Sequence, residues 1–362
     1  MDDRYDTLVI GGGQAGLAAA YHLQRAGRSY LVLDAHERTG DNWRTRWAGL
    51  RLFTPQRYSQ LPGLPPEWDA DPWYLPDRLE TADYLERYVA HHDLNVRSGQ
   101  RVTAVEPGFT VTTETGKRFR AANVIVATGA YRTPFRPAVS RMFPAGIRQL
   151  HSSELRQVAE VADLVDTVLV VGAGASGQQI ARLFAETGTE VLLAGPSVGN
   201  LPRRVAGKDV YWWMYKSGIM RARTDRGPGK LLVSSGGEVT VGEQTAELEA
   251  LPEVVRLRGH VDRYQNGTLT FRERKDAPAP LDWPRGRAAA IVWCTGYRNA
   301  YPFLPAAALG EDGQPFQRAG VSETVPGLFY VGLPNQRRVN SALLHGAGED
   351  AAAIVGVLPS RG

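Results

Sequence analysis

Two glycine runs in this chain have the spacing to hold a phosphate. The first reads Asp6-Thr-Leu-Val-Ile-Gly11-Gly-Gly13-Gln14-Ala15-Gly16, and the second reads Asp166-Thr-Val-Leu-Val-Val-Gly172-Ala-Gly174-Ala175-Ser176-Gly177. Each is an apolar, β-branched run, then G-x-G-x-x-G, then a helix-like stretch. In that context the first glycine permits a tight turn and the second lets backbone approach a pyrophosphate. The third lets helix and strand pack closely, with the helix N-terminus facing the phosphates. One such run is weak evidence; two in strand–turn–helix context predict two bound dinucleotides and electron transfer between them.

The copies differ at one position. In the first, the strand Tyr30-Leu-Val-Leu-Asp34 ends in a carboxylate 23 residues after Gly11. An acid there takes the ribose 2′-OH of an adenosine, so this site reads as one for FAD. In the second, the residue 23 positions after Gly172 is Gly195, with Arg203, Arg204 and Lys208 following. No acid there repels a 2′-phosphate, so this site reads as one for NADPH, with Arg203 and Arg204 as the phosphate's cations.

These turns need a scaffold. Residues 5–34 read as β-α-β, and 36–78 as a long aromatic-rich loop of the functional kind. Residues 79–92 read as a helix, 101–120 as a meander, and 123–129 as a buried strand ending in Ala127-Thr128-Gly129. A second unit starts near residue 164. A hairpin is expected at Tyr264-Gln-Asn-Gly267, and Ala290-Ile-Val-Trp-Cys-Thr-Gly296 mirrors the earlier Ala-Thr-Gly strand. The last strand ends at Gly332, and a small-residue helix spans about 341–357, its N-terminal dipole aimed at the electron-rich edge of a flavin. The expected fold class is α/β: two tandem Rossmann-like dinucleotide-binding domains, the second inserted in the first. The FAD domain takes 1–163 and 289–362, and the NADPH domain 164–288, with Pro134, Pro137 and Pro302 as linker residues.

Composition narrows the function. The net charge is +4 with no Lys/Arg block, so no nucleic acid is expected. No apolar run is long enough for a transmembrane helix, and at the charged N-terminus no signal peptide is expected. The single Cys294 excludes a C-x-x-C redox pair and suits a cytoplasmic protein. The seven histidines are scattered, so no metal site is expected. Trp212 and Trp213 read as core or domain contacts, and the substrate pocket is placed between the 45–75 loop and the 205–225 segment.

Taken together, Gly11-Gly-Gly-Gln-Ala-Gly16, Gly40-Asp-Asn-Trp43-Arg44, Ala127-Thr-Gly129, the second fingerprint and Cys294-Thr-Gly-Tyr297 resemble the class B flavoprotein monooxygenases. The chain is also similar to bacterial flavoproteins associated with cation-efflux systems. It further resembles the plant indole-3-pyruvate monooxygenases, through Arg51-Leu-Phe-Thr-Pro55. The resemblance implies FAD at Gly11, Gly13, Gln14, Ala15, Gly16, Asp34, Trp43, Arg44, Ala127, Thr128, Gly129, Gly332 and Leu343. It implies NADPH at Gly172, Gly174, Ala175, Ser176 and Gly177, beside the Arg203 and Arg204 read from the basic loop above. It also implies that NADPH reduces the flavin, that O₂ adds to form a C4a-hydroperoxide, and that this oxygenates a small organic substrate; a homo-oligomer is compatible with it. The chain departs from the family at the linker Phe143-Pro-Ala-Gly146-Ile-Arg-Gln-Leu-His151, where Leu155 takes the family's tyrosine place, and at Phe53 or Thr54, where flavin-containing monooxygenases carry an Asn. Two other readings stay open: an NADPH-dependent reductase of quinones or similar acceptors, and a flavin-binding sensor.

Overall fold

A computed structural model describes residues 3–234, 239–241, 244–272, 278–284 and 288–359. The first unit starts with strand β1 (Asp3–Ile10), helix α1 (Gln14–Arg25) and strand β2 (Tyr30–Leu33). Helix α2 (Arg78–His92) follows the long loop. It begins in a complete capping box: Asp77 accepts from the amides of Leu79 and Glu80, and Glu80 accepts from Asp77 N at 2.7 Å. A meander of Val102–Val105 and Thr110–Thr113 leads into β3 (Arg118–Val126), which lies parallel to β1.

The second sheet is built from β4 (Arg148–His151), β5 (Thr167–Val171), β6 (Glu190–Ala194), β7 (Val254–Leu257) and β8 (Ala289–Trp293). Its order is β7-β6-β5-β8-β4 and every pairing is parallel. Helix α3 (Ala175–Ala185) follows β5. The insertion between β6 and β7 carries helices α4 (Val210–Lys216) and α5 (Gly227–Ser234). The chain then returns to the first sheet with β9 (Leu328–Tyr330), parallel to β3, and ends in α6 (Leu344–Gly356).

Every residue of β2, β5 and β8 is buried, as a parallel sheet covered on both faces requires. One core packs α1, α2 and α6 on the first sheet, and Ala18, Ala19 and Ala20 let α6 approach α1 closely. The long loop is irregular apart from single turns at Asp41–Arg44 and Gln56–Tyr58. Its Trp47 and Leu50 lie in the core of the second unit, so the loop fastens the two units together. The expected hairpin forms with Asn266 and Gly267 both at positive φ, as a two-residue turn demands.

The domain boundaries differ from the expected ones. Residues 148–151 and 289–293 are strands of the second sheet, not the first. The chain crosses at a two-strand ribbon, where Thr133–Pro134 pairs antiparallel with Tyr297–Arg298. Strand β4 was hidden in the sequence because it sits at a sheet edge with only His151 fully buried. Among the described residues, no helix is long and apolar enough to cross a membrane, and no His, Cys, Asp and Glu cluster could hold a metal.

Candidate functional site

Both glycine turns lie at the C-terminal edge of a parallel sheet, and each glycine has a separable cause. Gly11 has φ +109°, and a Cβ there would stand 2.6 Å from Ala127 O. A Cβ on Gly16 would lie 1.8 Å from Gly11 O. Those two glycines are demanded by the folded chain itself. Gly13 is not: its φ is −79°, and a Cβ would meet nothing closer than Asn42 Nδ2 at 3.7 Å. Packing therefore does not explain the glycine at Gly13, and the chain leaves the space beside it open. No side chain caps α1 behind it, so the helix N-terminus is left to face whatever binds.

The turn opens on a cleft of about 490 Å³ lined by Gly11, Gly13, Gln14, Ala15, Asp34, Ala127, Thr128, Gly129 and Gly332, all expected residues. The Thr128 hydroxyl is buried there without a hydrogen-bond partner. Asp34 is buried, and its Oδ2 accepts from Gly12 N at 2.6 Å. Its Oδ1 accepts from His36 N at 2.8 Å and faces His36 Nδ1 at 2.9 Å. Burial alone would raise the Asp34 pKa, but the His36 bonds and the Gly12 amide outweigh it and hold the carboxyl below its ordinary value. The same bond to Asp34 holds the His36 imidazole above its ordinary value. His36 also lines the cleft and was missed in the sequence.

Trp43 and Arg44 do not line the cleft; Asn42, Thr45 and Arg46 do. Asp41–Arg44 is a single helical turn, on which positions three and four apart share a face. Asn42, Thr45 and Arg46 therefore project one way and Arg44 the other. Arg44 bonds to Thr39 O at 2.6 Å, Asp83 at 2.8 Å and Glu86 at 2.5 Å, which ties the turn to α2. Trp43 packs between the cores of the two units. Arg46 reaches the hydroxyl of Tyr297, another cleft residue absent from the expected set. Leu343 precedes α6 as its N-cap, and its neighbour Ala342 takes the place in the cleft wall.

The second turn repeats the same sterics. Gly172 has φ +110°, with its would-be Cβ 2.2 Å from Cys294 O, and Gly177 would strike Gly172 O at 1.7 Å. Gly174 precedes α3 in the same extended conformation as Gly13, and Ala175 and Ser176 form the first turn of that helix. Gly195 is fixed by packing, because a Cβ would sit 2.8 Å from Ala173 N. A smaller cavity of about 220 Å³ lies beside it, with Ser197, Asn200 and Arg258 among its walls.

Arg203 and Arg204 are not in that cavity. Arg203 Nε meets Asp209 at 2.5 Å, and its Nη1 donates to Phe53 O at 2.7 Å. Asp209 is a buried N-cap of α4, accepting from Tyr211 N, and needs a counter-charge. Arg203 supplies it and pins the insertion to the long loop. Arg204 is exposed in the adjoining hairpin.

Around the crossing, His151 is fully buried, which lowers its pKa. Its Nε2 donates to Gly296 O at 3.0 Å, and its Nδ1 accepts from Ser153 N at 3.1 Å. It is a linker clasp. Phe143 stacks on Tyr264 and Leu155 is core, so the altered linker is apolar packing. A second clasp joins the insertion to the turn before α6. Asn340 N donates to Met220 O at 3.0 Å, Val339 N to Ala222 O at 3.2 Å, and Thr224 N to Arg337 O at 3.1 Å. Beside it Tyr58 of the loop stacks on Tyr215 of the insertion, with centroids 4.0 Å apart. Asn340 is fully buried there, with its side chain against the hydroxyl of Tyr215.

The family described as pyridine nucleotide-disulphide oxidoreductase matches residues 8–203, the stretch that carries both turns. The chain belongs to that family, on its class B flavin monooxygenase branch. An uncharacterized oxidoreductase of Bacillus velezensis, CzcO, is 30% identical over 97% of this chain and 98% of its own length. A flavin-containing monooxygenase from Stenotrophomonas maltophilia has a structure with TM-score 0.73 and 26% identity, covering 98% of both chains. A probable indole-3-pyruvate monooxygenase of Arabidopsis thaliana is 24% identical over 96% of this chain and 86% of its own. The protein is thus an oxidoreductase enzyme of the flavin monooxygenase type. The disulphide in the family's description has no counterpart here: Cys294 is the chain's one cysteine, and burial pushes its thiol far up.

Proposed function

We propose that this enzyme is an FAD- and NADPH-dependent monooxygenase acting on a small organic substrate. The observation that carries the reading is the space over Gly13, which the folded chain leaves open although packing closes the positions of Gly11 and Gly16. Three features fit a flavin dinucleotide there. The uncapped N-terminus of α1 suits a pyrophosphate, the buried Asp34 carboxylate suits a ribose hydroxyl, and the unpartnered Thr128 hydroxyl sits in the same cleft. The matching turn at Gly172–Gly177 suits NADPH, with Gly195 leaving no acid to repel a 2′-phosphate.

Held by the Gly11–Gly16 turn and Asp34, FAD would supply two-electron chemistry between NADPH and O₂, with one oxygen atom destined for the substrate and the other for water. The chain's own residues bind, orient and exclude solvent. Arg46 and Tyr297 link the loop turn to the crossing ribbon, which fixes the cleft wall. The His151 clasp and the Met220–Asn340 clasp hold the two turns in one relative orientation. Met220 is buried with Tyr58 and Tyr215 packed against it, so this apolar cluster braces the loop against the insertion.

The deciding experiment is rapid mixing of NADPH-reduced enzyme with O₂, with and without an amine, sulfide and ketone panel. A transient flavin spectrum distinct from the reduced and oxidised ones, with an oxygenated product, is expected. If every electron appears as hydrogen peroxide and a quinone is reduced rapidly instead, the enzyme is a reductase. Purified protein that is colourless and ignores added FAD would sink both readings.

A further inference from the structure

The chain's positive charge is concentrated in the insertion. Residues 201–234 hold Arg203, Arg204, Lys208, Lys216, Arg221, Arg223, Arg226 and Lys230 against only Asp209 and Asp225. That is a net of +6, whereas the whole chain carries +4. Arg203, Arg221 and Arg223 are paired with Asp209, Glu349 and Asp225. The other five, Arg204, Lys208, Lys216, Arg226 and Lys230, have no salt-bridge partner among the described residues.

The same segment exposes large apolar side chains. Leu231 on α5 is 73% exposed, the highest value among the large apolar residues described. Trp213 and Val205 are each 41% exposed, and they touch, because the Trp213 indole N–H donates to Val205 O at 2.9 Å. Lys208 pairs with Val205 across the hairpin, and Lys216 follows Trp213 by about one turn of α4. Lys230 adjoins Leu231 on α5. The inner side of the segment is already used, with Tyr211 and Met220 buried against the loop and the turn before α6.

One short segment thus carries exposed Trp and Leu side chains, each with unpaired cations as neighbours, and that is the composition of an interfacial anchor. The cations meet lipid phosphates while the apolar tips enter the headgroup boundary, where indole is favoured. A second copy of this face is disfavoured, since two such patches repel. A single strand of nucleic acid is served by stacking planes, which Leu231 and Val205 lack. We propose that residues 203–234 dock the enzyme peripherally on an anionic phospholipid bilayer. The proposal is independent of the reaction the enzyme performs.

Sedimentation with phosphatidylcholine vesicles, with and without phosphatidylglycerol, tests this on the purified holoenzyme. Binding is expected only with phosphatidylglycerol and is expected to fade at high salt. The pair Lys216→Glu/Lys230→Glu should lower partitioning by about tenfold or more. The pair Trp213→Ser/Leu231→Ser should lower it by about tenfold. Both should keep wild-type flavin content and NADPH oxidation, and the charge pair should also keep the thermal midpoint. Failure to sediment with phosphatidylglycerol overturns the proposal, as does equal binding to neutral vesicles or unchanged binding by either variant. So does a labelled oligonucleotide that binds this face more tightly than the vesicles at the same salt, or a dimer that Leu231→Ser dissociates.

Discussion

The two glycine turns are sterically alike and electrostatically unlike. At each, the first glycine abuts a strand-end carbonyl, Ala127 O or Cys294 O, and the third abuts the carbonyl of the first. Beyond that the copies diverge. The first ends in a buried acid already held by Gly12 N and His36. The second ends in Gly195, over a turn whose carbonyls at Leu193 and Pro196 accept from the guanidinium of Arg256. The backbone shape is therefore repeated while the residue after the second strand is not, and under the proposed function that residue selects between the two cofactors.

The largest expected effects separate the glycines that make the shape from the one that packing does not explain. Gly16→Ala and Gly177→Ala place a methyl under 2 Å from a carbonyl oxygen that cannot move without breaking the turn. Each should cost more than about 4 kcal/mol, seen as loss of soluble protein or collapse of the unfolding midpoint. Gly13→Val should cost the flavin-free protein only about 1 kcal/mol, the price of a poor N-cap, yet abolish FAD binding. If Gly13→Val unfolds the protein as badly as Gly16→Ala, the open space is not a ligand's. If it retains FAD, the cradle is elsewhere.

A smaller effect concerns Arg203. The sequence placed it on a 2′-phosphate, and the structure gives it to Asp209 and Phe53 O. Arg203→Ala leaves a buried carboxylate uncompensated and should destabilise by about 3 kcal/mol. The ratio of NADPH to NADH reduction rates should stay within about twofold of wild type, because a phosphate contact worth roughly 1.5–3 kcal/mol is not being removed. A ratio that collapses tenfold with an unchanged midpoint would return Arg203 to the nucleotide.

What could be read from the sequence follows the same division. Fingerprint glycines are legible because their cause lies within one strand–turn–helix unit. Asp34 is legible because it ends the neighbouring strand at a fixed offset. The partner of Arg203 was not, since one contact is the backbone of Phe53, 150 residues earlier. In the run Gly40–Arg44 the sequence pointed to Trp43 and Arg44 while Asn42 lines the cleft, because a four-residue helix gives no periodicity to show which side is inward. Strand β4 was lost for a related reason: Arg148-Gln-Leu-His151 at a sheet edge carries neither an apolar run nor an alternation. Trp47 was legible as aromatic but not as core of the unit that begins more than a hundred residues later.

The smallest expected effect is a pH dependence held by Asp34 and His36. Asp34 has its pKa held below the ordinary 3.8, so its contribution is present above that value and lost as pH falls through the lowered one. His36 has its pKa held above 6.5, so its contribution is complete below 6.5 and fades as pH rises through the raised value. The pair therefore helps most between roughly pH 4 and 6.5. The size should be under about 1 kcal/mol, because the imidazole side chain is 45% exposed and water screens the pair. Denaturant midpoints across pH 5 to 9 should show a shallow extra decline above pH 6.5 in the wild type that His36→Ala removes. Asp34→Asn should remove the same decline and also weaken FAD by about tenfold or more, since only Asp34 is asked to meet the ribose. Were His36→Ala to keep the decline, the Asp34–His36 pair would not be its source. Were Asp34→Asn to bind FAD as well as wild type, the acid at the end of β2 would be serving the turn through Gly12 N alone, and the difference between the two fingerprints would be structural and not one of ligand choice.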